Sequence, residues 1–174
     1  GYGGSSGHNN NPAGSTSALL AARRDGSNYP KNTEEFATST TVTTPSAFAS
    51  GGNSSNAYYG RNGYGTQTAG LMFGGTTGGG VVYNKTEEYD GSSWTAGGNL
   101  PSARSNTAAA GTQTAGMANG GYLGNPPGGY TDQSLEYDGS SWTALPTMAT
   151  TFSSGAGNGV LTSAIVTNGD DRDG

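Results

Sequence analysis

The sequence predicts an all-β protein assembled from repeats, and three observations carry that prediction. The segment Glu136-Tyr137-Asp138-Gly139-Ser140-Ser141-Trp142-Thr143-Ala144 duplicates, letter for letter, the segment from Glu88 to Ala96. A second phrase, Gly65 to Gly70 followed by Gly74-Gly75, returns as Gly111 to Gly116 followed by Gly120-Gly121. Both copies of the first phrase also carry Asp-Gly, a strong hairpin signal. A chain that repeats itself at a period of roughly 50 residues buries each unit's apolar surface against its neighbours.

The clearest unit runs from Tyr64 to Arg104. Gln67 to Phe73 reads as a short strand or strand pair, closed by Gly74-Gly75. Small residues and glycine there allow close approach of neighbouring backbones. After a connection over 76–85 comes the strand Thr86-Glu87-Glu88-Tyr89. Asp90-Gly91 predicts a tight type I′ turn, whose two central residues need positive φ. Ser92-Ser93-Trp94-Thr95 then reads as the returning strand, and Pro101-Ser102-Ala103-Arg104 leads into the next unit. About four short antiparallel strands in a period of roughly 40 to 50 residues describe a propeller blade.

The double glycine, then Tyr89 or Tyr137, then Trp94 or Trp142, recur in the same order in each unit. In that order they resemble the kelch repeat, although the Tyr-to-Trp spacing is shorter than in familiar kelch blades. The Thr/Gly/Ala-rich phrasing resembles the kelch-like repeats of bacteriophage and marine viral structural proteins. The resemblance implies a β-propeller and a virion or extracellular location; a β-solenoid or an irregular Gly-rich fibre is the competing architecture.

The ends are expected to fit the same frame. Tyr2-Gly3-Gly4 aligns with Phe73-Gly74-Gly75, Thr33-Glu34-Glu35-Phe36 with Thr86 to Tyr89, and Pro45-Ser46-Ala47 with Pro101-Ser102-Ala103. Ser163 to Gly169 falls where the strand before Gly120 falls. The expected division is an outer half-blade over 1–48 with an inserted loop over 5–32, blades over 57–104 and 107–151, an inner half-blade over 152–169 and an acidic tail over 170–174. Three blades' worth is too few to close a ring. The expectation is therefore closure by a partner chain or by further sequence, with a homo-oligomer as the partnered form.

Composition alone points elsewhere. The chain has 33 Gly and 7 Pro in 174 residues and only 30% hydrophobic residues, a profile shared with disordered segments. Low charge (11%) and regularly placed aromatics argue for order instead. The net charge of −5 argues against nucleic acid or an anionic membrane as partner, and no apolar run is long enough to span a bilayer. There is no cysteine, hence no disulfide framework, thiolate metal site or thiol nucleophile. The chain starts with Gly and shows no signal peptide, so a processed or fragmentary chain is expected.

In an antiparallel meander the connections from strand two to strand three, and from strand four to the next unit, leave on one face. The Asp-Gly turns leave on the other. All irregular length falls on the first face, which is how a scaffold presents a binding surface. Tyr58, Tyr59, Tyr64, Tyr122 and Tyr130, set among Asn, Gly and Ser, resemble a carbohydrate-binding or paratope-like surface; packing against the blade edge is the alternative. Tyr58, Tyr59, Arg61, Tyr122 and Tyr130 are the candidate ligand or receptor contacts. Ser17 to Gly26 reads as a two-turn helix with Ser17 as its cap and Gly26 as its stop. Leu19, Leu20, Arg23 and Arg24 on that helix are the candidate docking residues. Tyr89, Trp94, Tyr137, Trp142, Gly74, Gly75, Gly120 and Gly121 recur by position and are expected to be scaffold.

Catalysis finds little support. Glu35, Glu88 and Glu136 follow the repeat and so read as structural, and His8 has no acid at a motif spacing. Asn168 to Gly174 is rich in aspartate but lacks the ligand spacing of a calcium loop. Asn53-Ser54-Ser55 and Asn84-Lys85-Thr86 fit the glycosylation triplet, a pattern common by chance in such composition. No metal and no cofactor are expected. The functional expectation is a non-enzymatic virion surface, fibre or decoration module. It would bind other virion proteins and a host surface glycan or protein. A ligand-free filament subunit, and a propeller glycosidase or lyase, are the alternatives.

Overall fold

A computed structural model describes residues 17–21, 33–37, 47–125, 128–167 and 169, and among them every regular element is a β-strand. In chain order they are β1 (Ser17–Ala21), β2 (Thr33–Ala37), β3 (Ala47–Ser50), β4 (Asn62–Thr66), β5 (Ala69–Phe73), β6 (Thr76–Gly78), β7 (Val81–Val82), β8 (Thr86–Tyr89), β9 (Trp94–Ala96), β10 (Ala108–Thr112), β11 (Ala115–Asn119), β12 (Ser134–Tyr137), β13 (Trp142–Ala144), β14 (Ala156–Val160) and β15 (Ser163–Thr167). The sheets run β1-β2-β3, β4-β5-β8-β9, β10-β11-β12-β13 and β14-β15, with β6-β7 a small hairpin inside the β5–β8 connection. Every pairing is antiparallel.

The two four-stranded meanders are the duplicated sequence made structural. Each begins with a hairpin turning over two residues, Gln67-Thr68 in one and Gln113-Thr114 in the other, and β14–β15 repeats the device at Leu161-Thr162. Gly65, Gly111 and Gly159, one residue before the end of each first strand, have φ of 126°, 133° and 115°. A Cβ on Gly65 would lie 2.2 Å from the Ala69 carbonyl oxygen, so the close strand approach requires glycine there.

The sheets lie side by side along their first strands, β10 against β4 on one side and against β14 on the other, while β1 lies beside β4. Residues alternate faces along each strand. Leu71 and Phe73 therefore point with Tyr64 at the third sheet and meet Ala109, Ala118, Leu135, Tyr137 and Trp142. Met72 points the other way and packs with Tyr89 and Trp94. Phe73 and Trp142 meet edge-on at 4.8 Å across the junction. Both faces of a middle sheet are covered, which explains the continuous apolar run Leu71-Met72-Phe73.

Backbone hydrogen bonds tie the units together. Gly60, Asn106 and Ser154 all have φ between 55° and 64°, each shortly before a first strand. The Ser154 amide donates to the Asn106 carbonyl at 2.7 Å and the Asn106 amide to the Gly60 carbonyl at 2.8 Å. The double glycines make a second tie: the Gly75 amide donates to Arg104 at 2.9 Å and the Gly121 amide to Phe152 at 2.8 Å.

Four expectations are corrected. Ser17–Ala21 is strand β1, not the start of a helix: a two-turn helix bears the whole nucleation penalty, whereas all five residues here pair with β2. That strand, rather than Tyr2-Gly3-Gly4, pairs with β2 as β5 pairs with β8, because Ala18↔Phe36 matches Gly70↔Tyr89 in register. The connection over 22–32 then resembles in length the one over 74–85, and no long insertion separates the paired strands; Tyr2-Gly3-Gly4 lies outside the described residues. Pro45-Ser46-Ala47 does not answer Pro101-Ser102-Ala103, since Ala47 opens β3 and Phe48 is the register partner of Phe36 as Trp94 is of Tyr89.

The Asp-Gly turn is the fourth. The last cross-strand pair is Tyr89↔Trp94, so 90–93 form the loop, closed by Asp90 N–H to Ser93 O at 3.2 Å. Gly91 has positive φ (96°) but Asp90 does not, which excludes type I′. One Asp90 oxygen accepts the Ser92 and Ser93 amides and the Ser92 hydroxyl, each at 2.8 Å, and the other accepts the Ser93 hydroxyl at 3.0 Å. Asp138 repeats the set with Ser140 and Ser141. The carboxylate captures the donors downstream, and the turn widens to suit it.

Candidate functional site: a tyrosine-lined loop face

The irregular connections converge on one side of the sheets. Tyr59 and Thr76 exchange backbone hydrogen bonds at 2.8 and 2.9 Å, which seats the β6–β7 hairpin against the segment entering β4. One unit later Ser105 and Tyr122 make the same exchange. The two loop systems touch where the Asn125 amide donates to the Gly80 carbonyl at 3.1 Å. Gly124 must lack a side chain there, because its Cβ would come within 2.7 Å of that carbonyl.

Tyrosine rings line this joined surface. Tyr58 and Tyr83 stack at 4.2 Å with planes 6° apart, and Tyr122 and Tyr130 meet at 6.0 Å, tilted by 59°. Tyr58, Tyr59, Tyr83, Tyr122 and Tyr130 are all half-buried, with one part of each ring held and the rest presented. The Tyr122 hydroxyl bonds the Asn125 side chain, and the Tyr83 hydroxyl lies 3.4 Å from the Thr77 hydroxyl. Burial beside Tyr83 raises the Tyr58 phenol, which therefore stays a neutral donor at physiological pH. Rings already fixed in place lose little entropy on binding, and their hydroxyls sit beside polar partners.

Arg61 is not on this surface. Its guanidinium is buried and donates to Glu87 at 2.6 Å, with both side chains under 5% exposed. The other Glu87 oxygen accepts the Ser55 amide at 2.8 Å. Arg61 lies 5.7 Å from the Tyr58 ring centre, so it supports that ring rather than reaching a ligand. Of the docking candidates, Leu19 and Leu20 fall within β1 opposite Glu35 and Glu34. Arg23 and Arg24 lie outside the described residues.

The repeated aromatics point inward. Tyr89, Tyr137, Trp94 and Trp142 are buried, and their polar ends cross to the preceding unit. The Trp94 indole donates to the Gly52 carbonyl at 3.1 Å and that of Trp142 to the Thr86 hydroxyl at 3.0 Å. The Tyr137 hydroxyl donates to Glu88, and burial, together with that bond, raises its pKa. Gly74, Gly75, Gly120 and Gly121 are buried at unit junctions, and a Cβ on Gly74 would lie 2.4 Å from the Arg104 carbonyl. Arg104 is itself fully buried among neutral acceptors, the Ser102 hydroxyl at 2.6 Å, the Gly120 carbonyl and Gln133, and burial lowers its pKa to about 10.

Sequence reasoning overlooked Tyr83, Thr77 and Asn125. The signal for Tyr83 was its departure from the repeat: its amide bonds Gly75 as the Thr131 amide bonds Gly121, so tyrosine stands where the next unit has threonine. Among the described residues no group of three or more His, Cys, Asp or Glu converges to hold a metal ion. No protein-family model matches the chain, and a search of curated proteins finds no significant relative.

Proposed function

We propose that this chain is a non-enzymatic attachment and assembly module, built as kelch-like propeller blades and carried on a virion or extracellular surface. The observation that carries the binding reading is the contrast between the two ends of the sheets. The Asp90 and Asp138 turns are copies of one another, bond for bond, whereas the opposite loops differ from unit to unit and carry the fixed tyrosines. The propeller reading is supported by successive meanders related by one register and packed along their first strands. The viral part rests on the phrasing of the repeats alone.

The ligand class that fits is a glycan or a polar protein surface: flat rings, hydroxyls and side-chain amides with few charges. The carboxylates best placed to speak for a glycosidase are otherwise engaged, Glu87 with Arg61, Glu88 with Tyr137, and Asp90 and Asp138 with their own turns. Labelled protein applied to host cells tests the reading. Binding that falls on enzymatic removal of surface glycans supports it, and absence of binding to treated and untreated cells alike counts against it.

A further inference from the structure

Arg104 is 0% exposed, yet among the described residues no carboxylate pairs with it. Its guanidinium donates to the Gly120 carbonyl at 3.4 Å, to the Ser102 hydroxyl at 2.6 Å and to the Gln133 side-chain oxygen, while its Nε–H has no partner. Burial lowers its pKa only to about 10, so it stays a cation at neutral pH. A buried charge met by neutral acceptors alone is costly. Arg61 shows the usual remedy, a buried arginine held by Glu87 at 2.6 Å. In the sheet that follows Arg104, Leu135 stands in the place of Glu87.

The fold does not require this charge. Tyr58, Arg104 and Phe152 each stand two residues before the left-handed Gly60, Asn106 and Ser154, so one place in the repeat takes two aromatic rings and one guanidinium. The Gly75 amide donates to the Arg104 carbonyl as the Gly121 amide does to that of Phe152. A residue that breaks the repeat at a cost in stability is expected where function selects it.

Its surroundings are the tyrosine face. The Arg104 amide donates to the Tyr83 carbonyl at 3.2 Å, and Ser105 exchanges backbone bonds with Tyr122. Gly120 and Gln133, joined amide to carbonyl at 3.1 Å, are the two ends of the connection that carries Tyr122 and Tyr130. The guanidinium bonds both ends. Ser102 and Gln133 are half-exposed, so the cation lies beneath two surface side chains that are free to turn away.

We infer that Arg104 reads charge at the loop face, and that the ligand is an acidic glycan whose carboxylate or sulfate displaces Ser102 and Gln133 from the guanidinium. The planar fork of an arginine matches such an anion through two parallel hydrogen bonds, and the tyrosines beside it suit the sugar. The inference rests on the glycan reading of this face and adds the charge of the sugar.

An array of carboxylated and sulfated glycans beside their neutral counterparts tests it, probed with the parent protein, Gln133→Glu and Arg104→Phe. The expected result is a preference of at least about tenfold for acidic members, the worth of a hydrogen bond between charged groups. Which acidic members bind identifies the anion. Gln133→Glu sets a carboxylate of the same shape against the guanidinium, so acidic binding should fall by a similar factor while the thermal midpoint rises. Arg104→Phe copies Phe152 and should lose the preference but keep the neutral binding. Equal binding of acidic and neutral glycans, or undiminished acidic binding in Gln133→Glu, overturns the inference and leaves the glycan reading standing. Binding of polyglutamate but of no acidic glycan gives the cation to an acidic protein partner and also overturns it. An array with nothing bound defeats both.

Discussion

The amide of Asn106 donates to the carbonyl of Gly60 at 2.8 Å, and both residues are left-handed, with φ of 55° and 64°. Ser154 extends the relationship by donating back to Asn106. A left-handed residue before each first strand turns its amide toward the preceding unit and its carbonyl toward the following one. The backbone thus links successive sheets in addition to the aromatic packing.

Position 106 should accordingly tolerate glycine and resist branched side chains. Asn106→Gly is expected to leave stability unchanged or slightly higher, whereas Asn106→Val should cost at least the roughly 1–2 kcal/mol of a left-handed β-carbon. Urea denaturation of the two variants beside the parent checks the order.

Arg61 and Glu87 form a buried pair that the next unit replaces as a pair, with Thr107 and Leu135 at the corresponding places. Removing one partner strands a buried charge, so Arg61→Thr or Glu87→Leu alone should cost about 3–5 kcal/mol. The double variant copies the neighbouring unit and should recover most of that loss. A double-mutant cycle by denaturant unfolding gives the coupling directly.

Acid should loosen the Asp turns late. Hydrogen bonds from the Ser141 amide, then the Ser140 hydroxyl and amide, hold the Asp138 carboxyl down at about 2, below its ordinary 3.8. A carboxylate depressed in the folded state contributes stability that is complete above its unfolded pKa and is lost as pH falls through the folded one. Its contribution should therefore disappear between about pH 4 and pH 2. Carbon-detected NMR titration should place the Asp138 midpoint near 2, and Asp138→Ala should flatten the thermal midpoint across that window.

Gly98 is a steric requirement of the unit junction. A Cβ there would lie 2.0 Å from the Ser140 carbonyl oxygen, and Gly52 faces Ser92 in the same way at 2.3 Å. Gly98→Ala should cost on the order of 1–3 kcal/mol by forcing the sheets apart. Gly79→Ala meets nothing within 4 Å, so only its positive φ is strained; it should cost less. Comparing the two by thermal unfolding separates crowding from backbone strain.

The duplicated phrase made the middle of the fold legible, because identical residues at one period must occupy identical places. Tyr89 and Trp94 accordingly recur as Tyr137 and Trp142, buried in equivalent places. Ser17–Ala21 was misread because its Ala-Leu composition favours a helix locally, while its strand character comes from Thr33–Ala37, a partner distant in sequence. The Asp-Gly signal was real but incomplete, since the serines that capture the carboxylate follow the dipeptide. Tyr58, Tyr59, Tyr122 and Tyr130 were visible as tyrosines among small polar residues. That Arg61 turns inward depended on Glu87, a partner 26 positions away.

Binding through the loop face, and not through the repeated phrase, separates two regions of one surface. A glycan array probed with the parent protein, Tyr122→Ala and Thr143→Ala distinguishes them, because Thr143 is exposed on β13 within the repeated phrase. The expected result is a defined set of bound glycans, loss of about 2 kcal/mol of binding (roughly thirtyfold) in Tyr122→Ala, and full binding in Thr143→Ala. An array with no bound glycan, or equal loss in both variants, rules out glycan binding by the loop face.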